Sequence, residues 1–401
     1  PDLCIGTDSW MYANVGLNVG VSCWKIKESY NKQIDIWGRK NSPIRTVSHF
    51  EDNVWVPSCT CDTTGVFGRY FTPINSRYYN DGRRDVVNMP TYTYTVDGNG
   101  NATITGYSGG VAALFIPETI DGHTVTAIGN RAFKGNLRLA AVTIPDTITE
   151  IGQDAFSGCT GLTSIKLPKN LKTLESDAFR DCTGLTSVLI PKTVESTHTY
   201  SNGFFCPFRG CDNLQEVKFE DGMTRIPNLI LGFCGAKLNI VIPDSVTEIG
   251  EAAFLNSGIV AVTIPDTVTE IEEDAFRGCT GLTDIKLPES VVNIGTKIFA
   301  NCTSLTDVTL PSTWESIPAS TFAGCTALEK LVLPESVKNI RDGAFKNCTA
   351  LKEIVWSKAP ELIDSNAFYN CDAITEMDIP ATVTSVGYQA FYDCDGLTKI
   401  T

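Results

Sequence analysis

Fifteen cysteines and three histidines carry most of the chemical potential of this 401-residue chain, as nucleophiles, metal ligands or disulfide partners. Ten of the thiols share one sequence context: Cys159, Cys182, Cys211, Cys234, Cys279, Cys302, Cys325, Cys348, Cys371 and Cys394. Zinc sites of the Cys-x-x-Cys type need a spacing that the chain never shows. If these residues sit at one slot of stacked coils, neighbouring Cα atoms approach disulfide range but the Cβ vectors run parallel, the wrong orientation for a bridge. The reading is a ladder of free, buried thiols used for packing, with disulfides and metal as the alternatives. Asn136 and, approximately, Asn256 take the slot where Cys is missing, and both residue types are small and able to bond turn backbone.

The histidines are His49, His123 and His198, and His49 with Cys59 forms a His/Cys pair no closer to a thiol-protease dyad than chance provides. No phosphate loop, H-E-x-x-H or nucleophile elbow occurs. The glycines between Gly98 and Gly110 read as hairpin turns. Glu272-Glu273-Asp274 reads as a solvated acidic face and fits no calcium loop. The sequence therefore assigns no catalytic residue, no cofactor and no metal. Of three N-x-S/T sequons, at Asn101, Asn301 and Asn347, the latter two overlap the N-C-T text that accompanies the thiol ladder.

What positions the thiols is a repeat. A unit of 23 residues places a proline at Pro145, Pro168, Pro191, Pro243, Pro265, Pro288, Pro311, Pro334 and Pro380, with Glu220 and Ser357 in two slots. A phenylalanine recurs at Phe133, Phe156, Phe179, Phe208, Phe254, Phe276, Phe299, Phe322, Phe345, Phe368 and Phe391, with Leu231 substituting once, which makes twelve coils. Six extra residues fall between Pro191 and Phe208, and one is deleted between Phe254 and Pro265. Each unit reads L-x-x-I-x-L-P-x-S/T-V-x-x-I-x-x-x-A-F-x-x-C-x-x, too few apolar residues to bury a core without its neighbours. Ile165-Lys166-Leu167 alternates like a half-buried strand ended by proline. A second extended run such as Val268-Thr269-Glu270-Ile271 follows, and Asp274-Ala275-Phe276 has the polar opening of one short helical or 3₁₀ turn. The expected fold is an α/β solenoid with a parallel sheet and short helical turns, roughly 60 Å long at ~4.8 Å per strand.

Residues 91–401 resemble the BspA-like (treponemal-type) leucine-rich repeat family, through LTSIKLP with ESDAFRDC and VTEIEEDAFRGC recurring at constant period. TVDGNGNATITGYSGG and IPETIDGHTVTAIGNRAF are similar to the family's atypical first coil, and the insertion leading into Cys206-Pro207-Phe208-Arg209-Gly210-Cys211 to a recurrent variant. The resemblance implies an extracellular or cell-surface solenoid that binds a protein or glycan partner, as an adhesin does.

Side-chain alternation then picks a recognition face. The residue two before each marker proline should point outward: Lys166, Leu189, Lys218, Val241, Thr263, Lys286, Thr309, Val332, Val355 and Asp378. The column four before the proline flanks it, from Ser164 and Ser187 to Glu353 and Glu376. A second candidate is the insertion at residues 195–207, expected to form a loop whose His198, Tyr200, Phe204 and Phe205 contact a partner or fold back over the adjacent coil.

Residues 1–90 differ in composition. They hold four of the six tryptophans, Trp10, Trp24, Trp37 and Trp55, and four further cysteines, Cys4, Cys23, Cys59 and Cys61. Runs such as Val19 to Trp24 and Asn53 to Val56 suit short strands, so a small β-rich domain is expected, with at least one disulfide if it is extracellular. The Cys23-Trp37-Cys59 trio is too short in its second interval for an immunoglobulin sandwich.

Size and charge exclude several classes. A single core usually stops growing near ~250–300 residues, so 401 residues mean two domains or an array. The formal charge of −14 argues against nucleic acid, and the acidity belongs to the repeats, because residues 1–90 carry ten basic and nine acidic groups. No window approaches the ~18 apolar residues of a membrane span. A first residue of Pro rather than Met points to a processed or trimmed product. The last residues, Ile400 and Thr401, fall inside a strand of the next unit, which leaves room for weak end-to-end self-association. The function expected is non-enzymatic binding, against two alternatives: an enzyme with its centre in residues 1–90, and a structural spacer.

Overall fold

The computed structural model describes residues 91–401 except 196, 198–205 and 357–359, and four short strands before them. Those strands pair antiparallel, His49–Glu51 with Val54–Val56 and Ser76–Tyr78 with Arg84–Val86. Cys4, Cys23, Cys59 and Cys61 lie outside the described residues, and so do His198, Tyr200, Phe204 and Phe205 of the insertion.

The first rung of the array is built from a hairpin. Thr91–Val96 pairs antiparallel with Ala102–Ser108, and the second of these strands pairs in parallel with His123–Ile128. Asp97 makes the turn: its Oδ1 accepts the amides of Asn99 at 2.8 Å and Asn101 at 2.9 Å. From there each coil has three sides. The first is a strand such as Ser164–Lys166, exposed at both ends and buried at Ile165, which stacks in parallel on Ala141–Thr143. The marker proline ends it because it has no amide to give the ladder. The second side is a two-residue strand, Thr173–Leu174, stacked on Glu150–Ile151. The third is a turn carrying the marker phenylalanine and the ladder thiol.

One coil supplies Leu162, Ile165, Leu167, Leu171, Leu174, Ala178, Phe179 and Cys182 to the interior, each no more than 6% exposed, and the core runs unbroken from Ala102 to Ala390. The insertion and the deletion are both absorbed without a slip in the first sheet. Leu189 lies opposite Lys218 across the six extra residues, and Asn239 opposite Ala261 across the missing one. A slip of one residue would turn every buried side chain outward, so burial holds the register.

The expected α/β class with helical turns is overturned: among the described residues there is no helix, and the array is a β-solenoid of stacked parallel strands joined by turns. The hydrogen bonds explain why. In the turn at Phe156, the amides of Asp154, Phe156 and Gly158 donate to carbonyls of the next coil at Ser176, Ala178 and Arg180, at 2.7 to 3.1 Å. The alternate amides, of Ala155, Ser157 and Cys159, close tight turns onto Gly152, Asp154 and Phe156. A helix would direct all of them back along its own axis. The backbone reverses instead through two left-handed residues four apart, Asp154 at φ 56° and Gly158 at φ 73°. The same pair recurs along the array, as at Asp177 with Asp181 and Lys297 with Asn301. Good helix formers in the D-A-F segment are thus overruled by bonds to the neighbouring coil.

The second sheet is interrupted where a proline follows one of its strands. After each of its strands an amide reaches back to the preceding coil, as Glu175 to the Ile151 carbonyl at 2.9 Å and Arg341 to Ile317 at 3.0 Å. In the coil of Ser316–Ile317 that residue is Pro318, which has no hydrogen to donate, and the strand does not pair with Asn293–Ile294.

Candidate functional site

The outward column chosen from alternation lies where expected. Lys166, Leu189, Lys218, Val241, Thr263, Lys286, Thr309, Val332 and Asp378 are exposed and Val355 is half-buried, while the residues between them, such as Ile165, Val188 and Val217, are buried. Register places Lys166, Leu189 and Lys218 side by side on three consecutive strands. Leu189 is 46% exposed and Val241 66%, so the face mixes cations with bare aliphatic groups. Lys218 is already engaged by Glu216 at 2.6 Å, and Lys330 by Glu353 at 2.8 Å. Among the described residues Lys166 and Lys286 make no ion pair.

The thiol ladder is structural. Cys159, Cys182, Cys211, Cys279, Cys302, Cys325, Cys348, Cys371 and Cys394 each donate from Sγ to the carbonyl of the marker phenylalanine one coil back, at 3.0 to 3.2 Å. Cys234 departs from the pattern and points to the Cys211 carbonyl at 3.5 Å. All are free thiols. Burial pushes Cys159 and Cys234 up to about 11 and Cys348 up to about 12, so at neutral pH they are protonated donors rather than nucleophiles. The residue that fills the empty slot before Cys279 is Ser257 and not Asn256: Ser257 is 2% exposed with its Oγ 3.5 Å from the Cys279 sulfur. Asn256 instead holds the left-handed position at φ 51°. The deletion that follows Phe254 made the two look interchangeable in the sequence.

Beside the ladder the marker rings stack. Neighbouring centroids lie 4.9 to 5.8 Å apart with planes within 2 to 18° of parallel, in a run from Phe133 to Phe208 and another from Phe254 to Phe391. Leu231 separates the two runs.

Two polar features escaped the sequence reading. On the second sheet Arg225 bridges Glu248 and Glu272, reaching the latter at 2.7 Å, and also bonds Asn228 Oδ1 at 2.7 Å. Burial alone would lower the Arg225 pKa, but its hydrogen bonds to the two glutamates raise it. The second feature is a cleft of about 990 Å³ at the interruption of that sheet, lined by Val292, Ile294, Trp314 and Pro318. The signals for it were present as Pro318 and as Trp314 in a slot that Val291 and Val337 fill elsewhere, yet neither marks a site until the coils are stacked. Among the described residues no group of three or more His, Cys, Asp or Glu side chains could hold a metal ion, and no helix is long and apolar enough to cross a membrane.

Stacked 23-residue coils with an asparagine-or-cysteine turn and a parallel sheet on one side define a leucine-rich-repeat solenoid. The chain belongs to the family described as BspA type leucine rich repeat region, whose profile matches residues 126–260, 253–375 and 315–401. Among solved structures it is similar to a leucine-rich repeat protein from Bacteroides ovatus, at 24% identity over 79% of this chain and 88% of that one, with a TM-score of 0.57. A leucine rich cell surface protein from Faecalibacterium prausnitzii is 27% identical over 78% of this chain and 94% of that one, with a TM-score of 0.38. The T. pallidum leucine rich repeat protein is 27% identical over 53% of this chain and 87% of that one, with a TM-score of 0.37. No curated protein matches the chain.

Proposed function

We propose that the chain is a non-enzymatic surface protein that binds a protein or glycan partner, as an adhesin does, through the outward face of its first sheet. One observation carries this reading. Along the array the buried slots repeat Leu, Ile, Phe and Cys, whereas the exposed column passes through Lys, Leu, Val, Thr and Asp at the same position of each coil. A scaffold that holds variable side chains in fixed register is what extended recognition surfaces of repeat proteins use. Location outside the cell follows from what the family resemblance implies. Lys166 and Lys286, without internal partners, are the groups best placed to meet an acidic feature of the ligand.

The test is capture of partners from host-matrix and mucosal extracts on the immobilised chain, followed by affinity measurement with each purified partner. Reversing charge at Lys166, Lys218 and Lys286 together should weaken binding about ten-fold or more, with the smaller share from Lys218 because Glu216 already neutralises it. Unchanged affinity would move the site off this face, and an array that captures nothing would be a spacer.

A further inference from the structure

The interrupted junction of the second sheet has a specific chemical character. Its floor is apolar: Val292 is 58% exposed, Ile294 is half-buried beside it, and Pro318 closes the other wall. Trp314 beneath is 3% exposed and fixed by its indole N–H, which donates to the Val291 carbonyl at 3.0 Å. The backbone is open here as well, since Glu315 makes no counterpart of the bond by which Lys338 reaches the Glu315 carbonyl at 2.9 Å.

Around this floor stand six carboxylates and a single cation, Arg341. Three of the carboxylates are matched internally: Glu272 by Arg225 at 2.7 Å, Glu273 by Lys297 at 2.7 Å and Glu315 by Lys338 at 3.9 Å. Glu270, Asp342 and Asp364 make no ion pair among the described residues, although Asp342 accepts from Asn366 Nδ2 at 3.1 Å and Asp364 from the Ser365 amide at 2.8 Å. Even with Arg341 counted, negative charge is in excess. From the coil of Glu270 to that of Asp364 is four steps of the stack, about 19 Å at the ~4.8 Å spacing of strands, the length of roughly six extended residues.

We propose that this cleft docks an extended, basic segment of a partner protein, laid along the stack. Its Lys or Arg side chains pair with Glu270, Asp342 and Asp364, and the alternate apolar side chains rest on Val292 and Pro318. Charge complementarity selects the basic residues. The bare apolar floor selects a peptide over a simple polyamine, and the spread of the carboxylates selects an extended segment over a compact ligand. The site is separate from the first-sheet face and does not rest on it.

Fluorescence polarisation with the full chain tests this, using labelled hexapeptides of alternating Lys and Val, of alternating Glu and Val, and of Lys alone. The Lys-Val peptide should bind, lose affinity as salt rises, and bind tighter than Lys alone, while the Glu-Val peptide should not bind. Neutralising the rim by Glu270→Gln, Asp342→Asn and Asp364→Asn together should weaken binding about ten-fold. Neutralising Asp307, Glu353 and Glu376 on the first sheet should leave it unchanged, and so should the first-sheet lysine reversals. No binding by the Lys-Val peptide, equal losses in the two neutralised variants, or equal affinity for Lys alone would each overturn the proposal.

Discussion

Two junctions of the solenoid can be compared directly. Between the coils of Phe156 and Phe179, all three sides are bonded. The second sheet contributes Lys172 to the Thr149 carbonyl and Glu175 to Ile151, both at 2.9 Å, and the rings stack at 5.2 Å and 2°. Between the coils of Phe299 and Phe322 the second sheet contributes no such pair, while the rings, at 5.8 Å and 16°, are no looser than the 5.7 Å and 18° of Phe276 and Phe299, whose second-sheet strands do pair. The turns nevertheless remain bonded there, Lys297 to the Ala319 carbonyl at 3.0 Å and Phe299 to Thr321 at 3.0 Å. The difference teaches that a coil needs only part of its perimeter to stay in register, so one side can be released for another purpose.

Ring removal should break the comparison most visibly. Phe156→Ala leaves a cavity in a closed stack and should cost about 3–5 kcal/mol, whereas Phe322→Ala, beside the open junction where neighbours can collapse inward, should fall at the low end of that range. Denaturant unfolding monitored by circular dichroism measures both. Equal costs would show that the interrupted sheet does not reach the core. A smaller effect is expected at the ladder: Cys302→Ser, in a fully buried slot, should cost on the order of 1–2 kcal/mol, and Cys394→Ser, half-buried in the last coil, much less. The same unfolding curves decide it, and equal effects would mean that burial does not set the value of these thiols. Smallest is Pro318→Ala. It returns the missing amide but frees the unfolded chain, so the net change should stay within about 1 kcal/mol. Hydrogen exchange reads the structural result directly. A protected amide at position 318 would show the sheet closing onto Ile294, and a rapidly exchanging one would put the interruption down to Trp314 rather than to proline.

Much of this was legible in the sequence. The period, the marker proline and the alternation of Ile165-Lys166-Leu167 gave the strands and their outward residues, because each depends on one local rule repeated many times. The turn was misread because its conformation depends on the coil above it. Asp274-Ala275-Phe276 has helical composition, yet Asp274 sits at φ 58° and the Phe276 amide bonds to the Ile298 carbonyl at 3.0 Å, a partner one coil away. The cleft was invisible for the same reason, since it opens where the strand before Pro318 does not pair with one 23 residues earlier. The ladder slot at Ser257 was missed by one position, where a single deletion shifts the frame.

The directions of the intercoil bonds also have a mechanical consequence. In the sheets and the turns alike these bonds run between successive coils, along the axis of the stack. A load pulling the two ends of the array apart therefore opens one coil's bonds at a time, like a zip, instead of shearing many together. Such a chain yields at low force and pays out slack in steps of one repeat. The junction at Pro318 is one of several where one side is already unfastened, and such junctions are where stretching should start once the pull reaches the interior.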